Sequence, residues 1–161
     1  MAITKIIAIR DRLDKRVAYV ANAEKTALNC GVRYAVNPER TEQSFFTAVL
    51  NCSSPEHAFR EMVETKKRWR KTGGVLGYHF IQSFAPGEVT PEQAFEIGKA
   101  TARRMWGDKY QVLVTVHLNT DNLHCHFVVN PVSFKDGTKF QNKIDDHKEL
   151  RRVSDEISYP K

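Results

Sequence analysis

The chain has 161 residues, 41% of them hydrophobic and 27% charged, which suits one domain with an ordinary core. No apolar run approaches the length of a membrane-spanning helix, and the N-terminus lacks a signal-peptide core, so membrane insertion is not expected. A formal charge of +6 favours a polyanionic partner, nucleic acid first.

Ala2 to Ile9 is rich in isoleucine and reads as a buried strand. Asp11 is placed to cap a helix whose apolar stripe is Leu13, Val17 and Val20; Tyr19 lies off that stripe. Two segments echo one another, Tyr19-Val-Ala-Asn-Ala-Glu-Lys-Thr26 and Tyr34-Ala-Val-Asn-Pro-Glu-Arg-Thr41. Phe45 to Cys52 predicts a short strand. Ser54 and Pro55 predict the start of a helix with Phe59, Met62 and Val63 inside, ending at Gly73-Gly74. Its last turns carry the densest basic cluster, Lys66-Lys67-Arg68-Trp69-Arg70-Lys71.

Val75 to Phe84 predicts a strand with His79, Ile81 and Ser83 on one face. Thr90-Pro-Glu-Gln93 is a capping box for a helix that runs to about Trp106 and stops at Gly107. Tyr110 to Val116 and the segment from His124 predict two paired strands. Val132 to Phe140 predicts a second hairpin turning at Lys135-Asp-Gly137. A charged helix closes the chain from Asp145 to Ile157. The sum is α+β, a central antiparallel sheet with helices on one side. Three cysteines, Cys30, Cys52 and Cys125, with no C-x-x-C pair, argue against a disulfide framework and for a reducing cytosol.

Three of the six histidines fall within ten residues, in the run His117-Leu-Asn-Thr-Asp-Asn-Leu-His124-Cys-His126. Side chains alternate along a strand, so His124 and His126 share a face and Cys125 takes the other. The polar stretch between Leu118 and Leu123 is turn-prone, and pairing the two strands brings His117 beside the others. Three imidazoles are enough protein ligands for one divalent ion that keeps open positions; a closed structural site would want a fourth ligand, and none is evident.

The run His117-x6-His124-x-His126 resembles the metal motif of conjugative relaxases, mobilisation nucleases of the HUH endonuclease superfamily. The strand Gly77-Tyr-His-Phe-Ile-Gln-Ser-Phe84 and the following Pro86-Gly-Glu-Val-Thr-Pro-Glu-Gln-Ala94 resemble the same family, as does Tyr19-x-x-Asn-x-Glu-Lys-Thr26. The resemblance covers nearly the whole chain, residues 1–161, and implies an N-terminal catalytic domain of a longer protein. It implies DNA strand transfer: a tyrosine hydroxyl attacks a phosphate at an origin of transfer, leaving a 5′-phosphotyrosine and a free 3′-OH.

On that resemblance Tyr19 is the nucleophile, with Tyr34 as the alternative and His79 as a candidate base. His117, His124 and His126 hold one divalent ion, magnesium or manganese on the family's habit, with zinc or nickel suited to histidine ligands. Family members often carry aspartate where this chain has Asn119, and Asp121 is the candidate to take its role. Lys66, Lys67, Arg68, Arg70, Arg103 and Arg104 are the candidate DNA contacts. The implied partners are single-stranded origin DNA, accessory relaxosome proteins and a coupling protein, in a bacterial cytoplasm. Two other readings compete: a replication initiator with the same chemistry, and a non-catalytic nucleic-acid-binding module with a structural metal. A covalent protein–DNA adduct separates the enzymes from the module.

Overall fold

A computed structural model describes residues 3–17, 46–117, 123–140 and 144–158. Its strands are β1 (Ile3–Ile9), β2 (Thr47–Leu50), β3 (Gly77–Ser83), β4 (Val112–His117) and β5 (His124–Val129). Its helices are α1 (Ala58–Arg68), α2 (Pro91–Trp106) and α3 (Ile144–Ser158), and residues 13–17 are also helical. The strands form one sheet in the order β1-β3-β5-β4-β2, and every pairing is antiparallel. The α+β expectation therefore stands, and β5, the strand with two of the three clustered histidines, is the central strand.

Why the sheet sits where it does follows from its two faces. On one face Phe80, Phe127, Val112, Val114 and Val116 are almost fully buried under α2 and α3. Trp106 of α2 packs on Phe80 with ring centroids 4.5 Å apart. Side chains of this size contribute roughly 1.5–3 kcal/mol each on full burial. The inward positions of α2 are Ala94, Gly98, Thr101, Ala102 and Trp106, the 3–4 spacing of a single helical stripe. Small residues at its centre let the helix come close to β5: a Cβ on Gly98 would lie 2.9 Å from the Cys125 sulfur. The expected capping box is present, with Thr90 accepting from the Gln93 N–H and Gln93 accepting from the Thr90 N–H. Gln82 binds Ser154 of α3 at 2.6 Å on the same face.

The opposite face is covered as well, which corrects the expectation of helices on one side only. Leu13 and Val17 from the first helical segment and Met62 of α1 pack with Ile9, Leu113 and Val128. The one-sided expectation fails because the apolar stripes of the first two helical segments need a partner, and α2 and α3 already fill the other face. Val20 lies outside the described residues.

Three local expectations also change. Ser54 precedes a 3-10 turn, Pro55–His57, rather than the α-helix itself, and its hydroxyl meets the His57 ring at 3.1 Å instead of capping a backbone N–H. Helix α1 ends at Arg68, before Gly73. Arg70 takes φ 56°, and Lys71 N–H binds the Lys66 carbonyl at 2.9 Å, a left-handed finish achieved without glycine. Val132 to Phe140 makes one isolated bridge, Val132 to Lys139, around a turn in which Gly137 has φ 74°. It is a tight loop and not a second hairpin of strands.

Candidate active site

Strand register builds the site. His117 of β4 lies directly opposite His124 of β5, and His124 lies opposite Ser83 of β3. The next row across the same face runs Lys5, Ile81, His126, Thr115 and Thr47. The row beyond holds Ile7, His79, Val128, Leu113 and Val49, and there the covering by α1 and residues 13–17 begins. The expected convergence of His117, His124 and His126 on one face is what the pairing produces. Cys125 faces the other way, buried, with its sulfur donating to the Ala94 carbonyl at 3.1 Å. Cys52 and Cys125 are free thiols.

His79, His117 and His126 are buried, at 2%, 7% and 6% exposure; His124 is half-buried. The His117 and His126 rings stack with centroids 3.8 Å apart, and His124 lies 6.1 Å from His126. The Ser83 hydroxyl bonds His124 Nδ1 at 2.9 Å. Arg16 meets His79 Nδ1 at 3.1 Å, and His79 Nε2 lies 2.8 Å from His126 Nδ1. A guanidinium can only donate. His79 therefore accepts from Arg16 at Nδ1, carries its proton on Nε2, and donates it to His126 Nδ1.

Burial, then Arg16 and His117, push His79 down to about 4. Burial, then the other histidines, push His126 down to about 2. Both rings are therefore neutral at physiological pH, the form in which an imidazole is a metal ligand. The buried Thr115 hydroxyl, next to His126 in the row across the sheet, has no hydrogen-bond partner, so a polar occupant on this face would satisfy it. In the present arrangement the rings stack, and among the described residues no three His, Cys, Asp or Glu side chains converge on one point. The donor set fits a divalent ion in residue type, face and charge state; holding one requires the rings to turn out of the stack and the His79–His126 bond to reverse, so that His126 donates from Nδ1 and frees Nε2.

The other expected site residues fall in different places. Tyr19, Tyr34, Asn119 and Asp121 lie outside the described residues. Lys67, Arg68 and Arg70 are exposed at the C-terminal end of α1, on the histidine side of the sheet. Lys66 is buried at 4% exposure. Arg103 and Arg104 belong to α2 on the opposite side, and Arg104 pairs with Glu156 at 3.3 Å. The six basic residues do not form one surface. Arg16, Ser83 and Thr115 are site residues that sequence reasoning missed. Ser83 was within reach of it, since it shares the His79 face by period two; Arg16 meets His79 across 63 residues of chain, and no local pattern signals that.

A family model for the MobA/VirD2-like relaxase, nuclease domain, matches residues 34–159. Protein rlx of Staphylococcus aureus is 33% identical over 159 residues, 98% of this chain and 41% of its own length. The group II intron-interrupted relaxase LtrB of Lactococcus lactis subsp. cremoris is 28% identical over 179 residues, covering 89% of this chain and 32% of that protein. The chain thus spans about two fifths or less of these relatives. A solved structure from work on the molecular basis of vancomycin resistance transfer in Staphylococcus aureus shares the fold, with a TM-score of 0.54 and 17% identity over 70% of this chain and 66% of that one. Tyr34 and the histidine run lie inside the family match, and the similarity to rlx extends over the Tyr19 segment as well.

Proposed function

This chain belongs to the MobA/VirD2-like relaxase nuclease domain family, and we propose that it nicks one strand of DNA at an origin of transfer and rejoins it. The observation that carries this reading is the cross-strand pair His117–His124 with His126 on the same face of the central strand. A divalent ion, magnesium or manganese with zinc or nickel as alternatives, would be held by these three imidazoles and would withdraw charge from a phosphate oxygen. Lys5 and Arg16 add positive charge on the same face, which suits an anionic diester.

The nucleophile in this reading is the Tyr19 hydroxyl, with Tyr34 as the alternative. Its oxygen bonds to the scissile phosphorus as the bond to the 3′ oxygen breaks. The departing 3′ oxygen takes a proton and becomes a hydroxyl, matching the proton that tyrosine gives up. One phosphodiester replaces another, so no nucleotide cofactor is consumed and reversal reseals the strand. His79 serves as a positioning residue: its nitrogens engage Arg16 and His126, an arrangement that orients His126 and leaves little scope for accepting the tyrosine proton. Lys67, Arg68 and Arg70 are the leading phosphate contacts. No helix among the described residues is long and apolar enough to cross a membrane; a bacterial cytoplasm, with accessory relaxosome proteins and a coupling protein as partners, completes the reading.

The test is a labelled single-stranded origin oligonucleotide incubated with the protein and manganese. A denaturant-resistant adduct is expected, lost in Tyr19→Phe and kept in Tyr34→Phe. A DNA-linked peptide containing Tyr34 moves the nucleophile; no adduct with any origin strand overturns the reading.

A further inference from the structure

Residues 12–14, Leu76 and α1 enclose a pocket of about 300 Å³. Its walls are Leu13, Phe59, Val63 and Leu76, so it is mostly apolar, and its volume is at the small end for ligand sites. Lys66 also lines it. This lysine is only 4% exposed as a residue; among the described residues no carboxylate is bridged to its ammonium, which is not one of the fully buried unpartnered atoms and so keeps a narrow contact with water. A largely buried cation with no carboxylate beside it is costly, because its desolvation is little offset. Such a group is expected where an acceptor arrives from outside.

The rim points to the acceptor's carrier. Lys67 stands at the opening, exposed and unpaired among the described residues. Arg12 is bound to Asp14 at 2.9 Å, so their charges offset, and the lysines leave the pocket positive. The pocket also belongs to the histidine side of the sheet. The helical segment that supplies Leu13 to its wall supplies Arg16 to His79, and one helical turn is about 5.4 Å. The pocket therefore lies about one helical turn from the group that contacts His79, near enough for one strand to reach both.

We propose that this pocket receives one base of the single-stranded DNA, and that Lys66 selects thymine or guanine through the O4 or O6 oxygen. The inference rests on the relaxase reading for the identity of the ligand. Phe59 offers an aromatic surface for stacking, which any base accepts. Lys66 has donors and no acceptor. At the position where thymine carries O4 and guanine O6, which accept from it, cytosine and adenine carry the N4 and N6 amines, which turn donors toward it. Lys67 takes a flanking phosphate, which carries no base preference.

The experiment is fluorescence anisotropy at pH 7 with the oligonucleotides dT12, dA12 and dC12, on the full chain and on Lys66→Met and Lys67→Met. Lys66→Met keeps side-chain length and removes a desolvated charge, so its melting temperature should not fall. The full chain should prefer dT12 to dA12 and dC12 by about tenfold. Lys66→Met should shrink that preference to within twofold, while Lys67→Met should weaken all three alike. As a second readout, dT12 carrying 5-iodouracil should photocrosslink to the peptide containing Phe59. Binding without a base preference, or a preference that a folded Lys66→Met retains, overturns the pocket assignment and leaves the nicking reading intact. Failure to bind any of the three strands also overturns the pocket assignment, and the adduct assay with origin oligonucleotides tests the nicking reading separately.

Discussion

His117 and His124 are direct cross-strand partners on β4 and β5, and His126 follows His124 on the same face of the central strand. Backbone hydrogen bonds fix this juxtaposition, so it survives loss of any one ring. Alanine at any of the three should leave the melting temperature of the metal-free protein within a few degrees while weakening manganese binding at least tenfold. A ligand at a hundred times its Kd stabilises the native state by about 2.7 kcal/mol, and that increment should vanish in His126→Ala. Titration calorimetry and melting with and without manganese check both parts; an unchanged manganese-dependent increment in His126→Ala would overturn the ligand set.

His79 reaches His126 at 2.8 Å from the next row of the sheet. Ligation through His126 Nε2 requires this bond to reverse: the His79 proton moves to Nδ1 as Arg16 releases it, and His126 Nδ1–H donates to His79 Nε2. Partners of this kind typically account for tenfold to a hundredfold in metal affinity. His79→Ala should weaken manganese binding by that range and slow adduct formation in proportion at low manganese, with recovery at saturating manganese. Slow adduct formation that saturating manganese does not rescue would assign His79 a direct part in the chemistry.

The period-two spacing of His124 and His126 is readable from sequence because a strand allows only two faces, and the hydrophobic runs beside it establish that it is a strand. The capping box at Thr90 is equally local. Arg16 is different: its role depends on a helical segment crossing the sheet to a residue 63 positions away. Lys66 reads as surface in a basic run, yet the Lys67-Arg68 neighbours take the solvent and the early left-handed finish at Arg70 leaves Lys66 facing inward. Residues 132–140 carry the turn signal of a hairpin, but flanking residues such as Val132 and Phe140 are drawn into the core, so the strands do not extend. Position 19 depends on a segment outside the described residues, and the repeated tyrosine sequence leaves two candidates.

Cations on α1 and α2 should behave differently toward DNA. Lys67, Arg68 and Arg70 stand on the histidine side, while Arg104 is tied to Glu156 on the far side. For single strands the slope of log K against log salt is about −0.7 per phosphate neutralised. Removing all three α1 cations should reduce the slope by about 2, and Arg104→Ala should leave it unchanged. Anisotropy titrations between 50 and 200 mM salt, on the order of the range over which such contacts are lost, measure it. An equal change from Arg104→Ala would place DNA on the opposite face.

Gly98 brings α2 against the back of the histidine strand. A Cβ there would meet the Cys125 sulfur at 2.9 Å and Val114 at 3.6 Å. Both neighbours are buried and have little room to yield. Helix propensity favours alanine by about 1 kcal/mol, while overpacking costs about 1–3 kcal/mol. Gly98→Ala should therefore come out neutral to destabilising, by up to about 2 kcal/mol. Gly98→Ala combined with Cys125→Ala should recover the loss, since the clash is with the sulfur. Urea denaturation of the four proteins gives the coupling; strict additivity would show that the close approach is not what holds glycine there.

Lys66 makes stability depend on pH in a window where few buried groups do. Burial, and then Lys139, lower its ammonium from 10.5 to about 8. Below that value the lysine is charged in both the folded and the unfolded chain, and the folded state bears the full cost of burying the charge. Between about 8 and 10.5 the unfolded chain binds more protons than the folded one, so this group makes stability rise with pH. At ~1.4 kcal/mol per pKa unit the full effect is roughly 3 kcal/mol. Beside the pocket the Arg12 guanidinium and the Asp14 carboxylate it binds keep their charge throughout this range. The difference between the full chain and Lys66→Met isolates the contribution. The stability gap in favour of Lys66→Met should be largest at pH 7 and close steadily toward pH 10.5, as read from urea unfolding at fixed ionic strength. A gap that stays constant across that range would mean that Lys66 is solvated in solution, and the pocket would lose its selective donor.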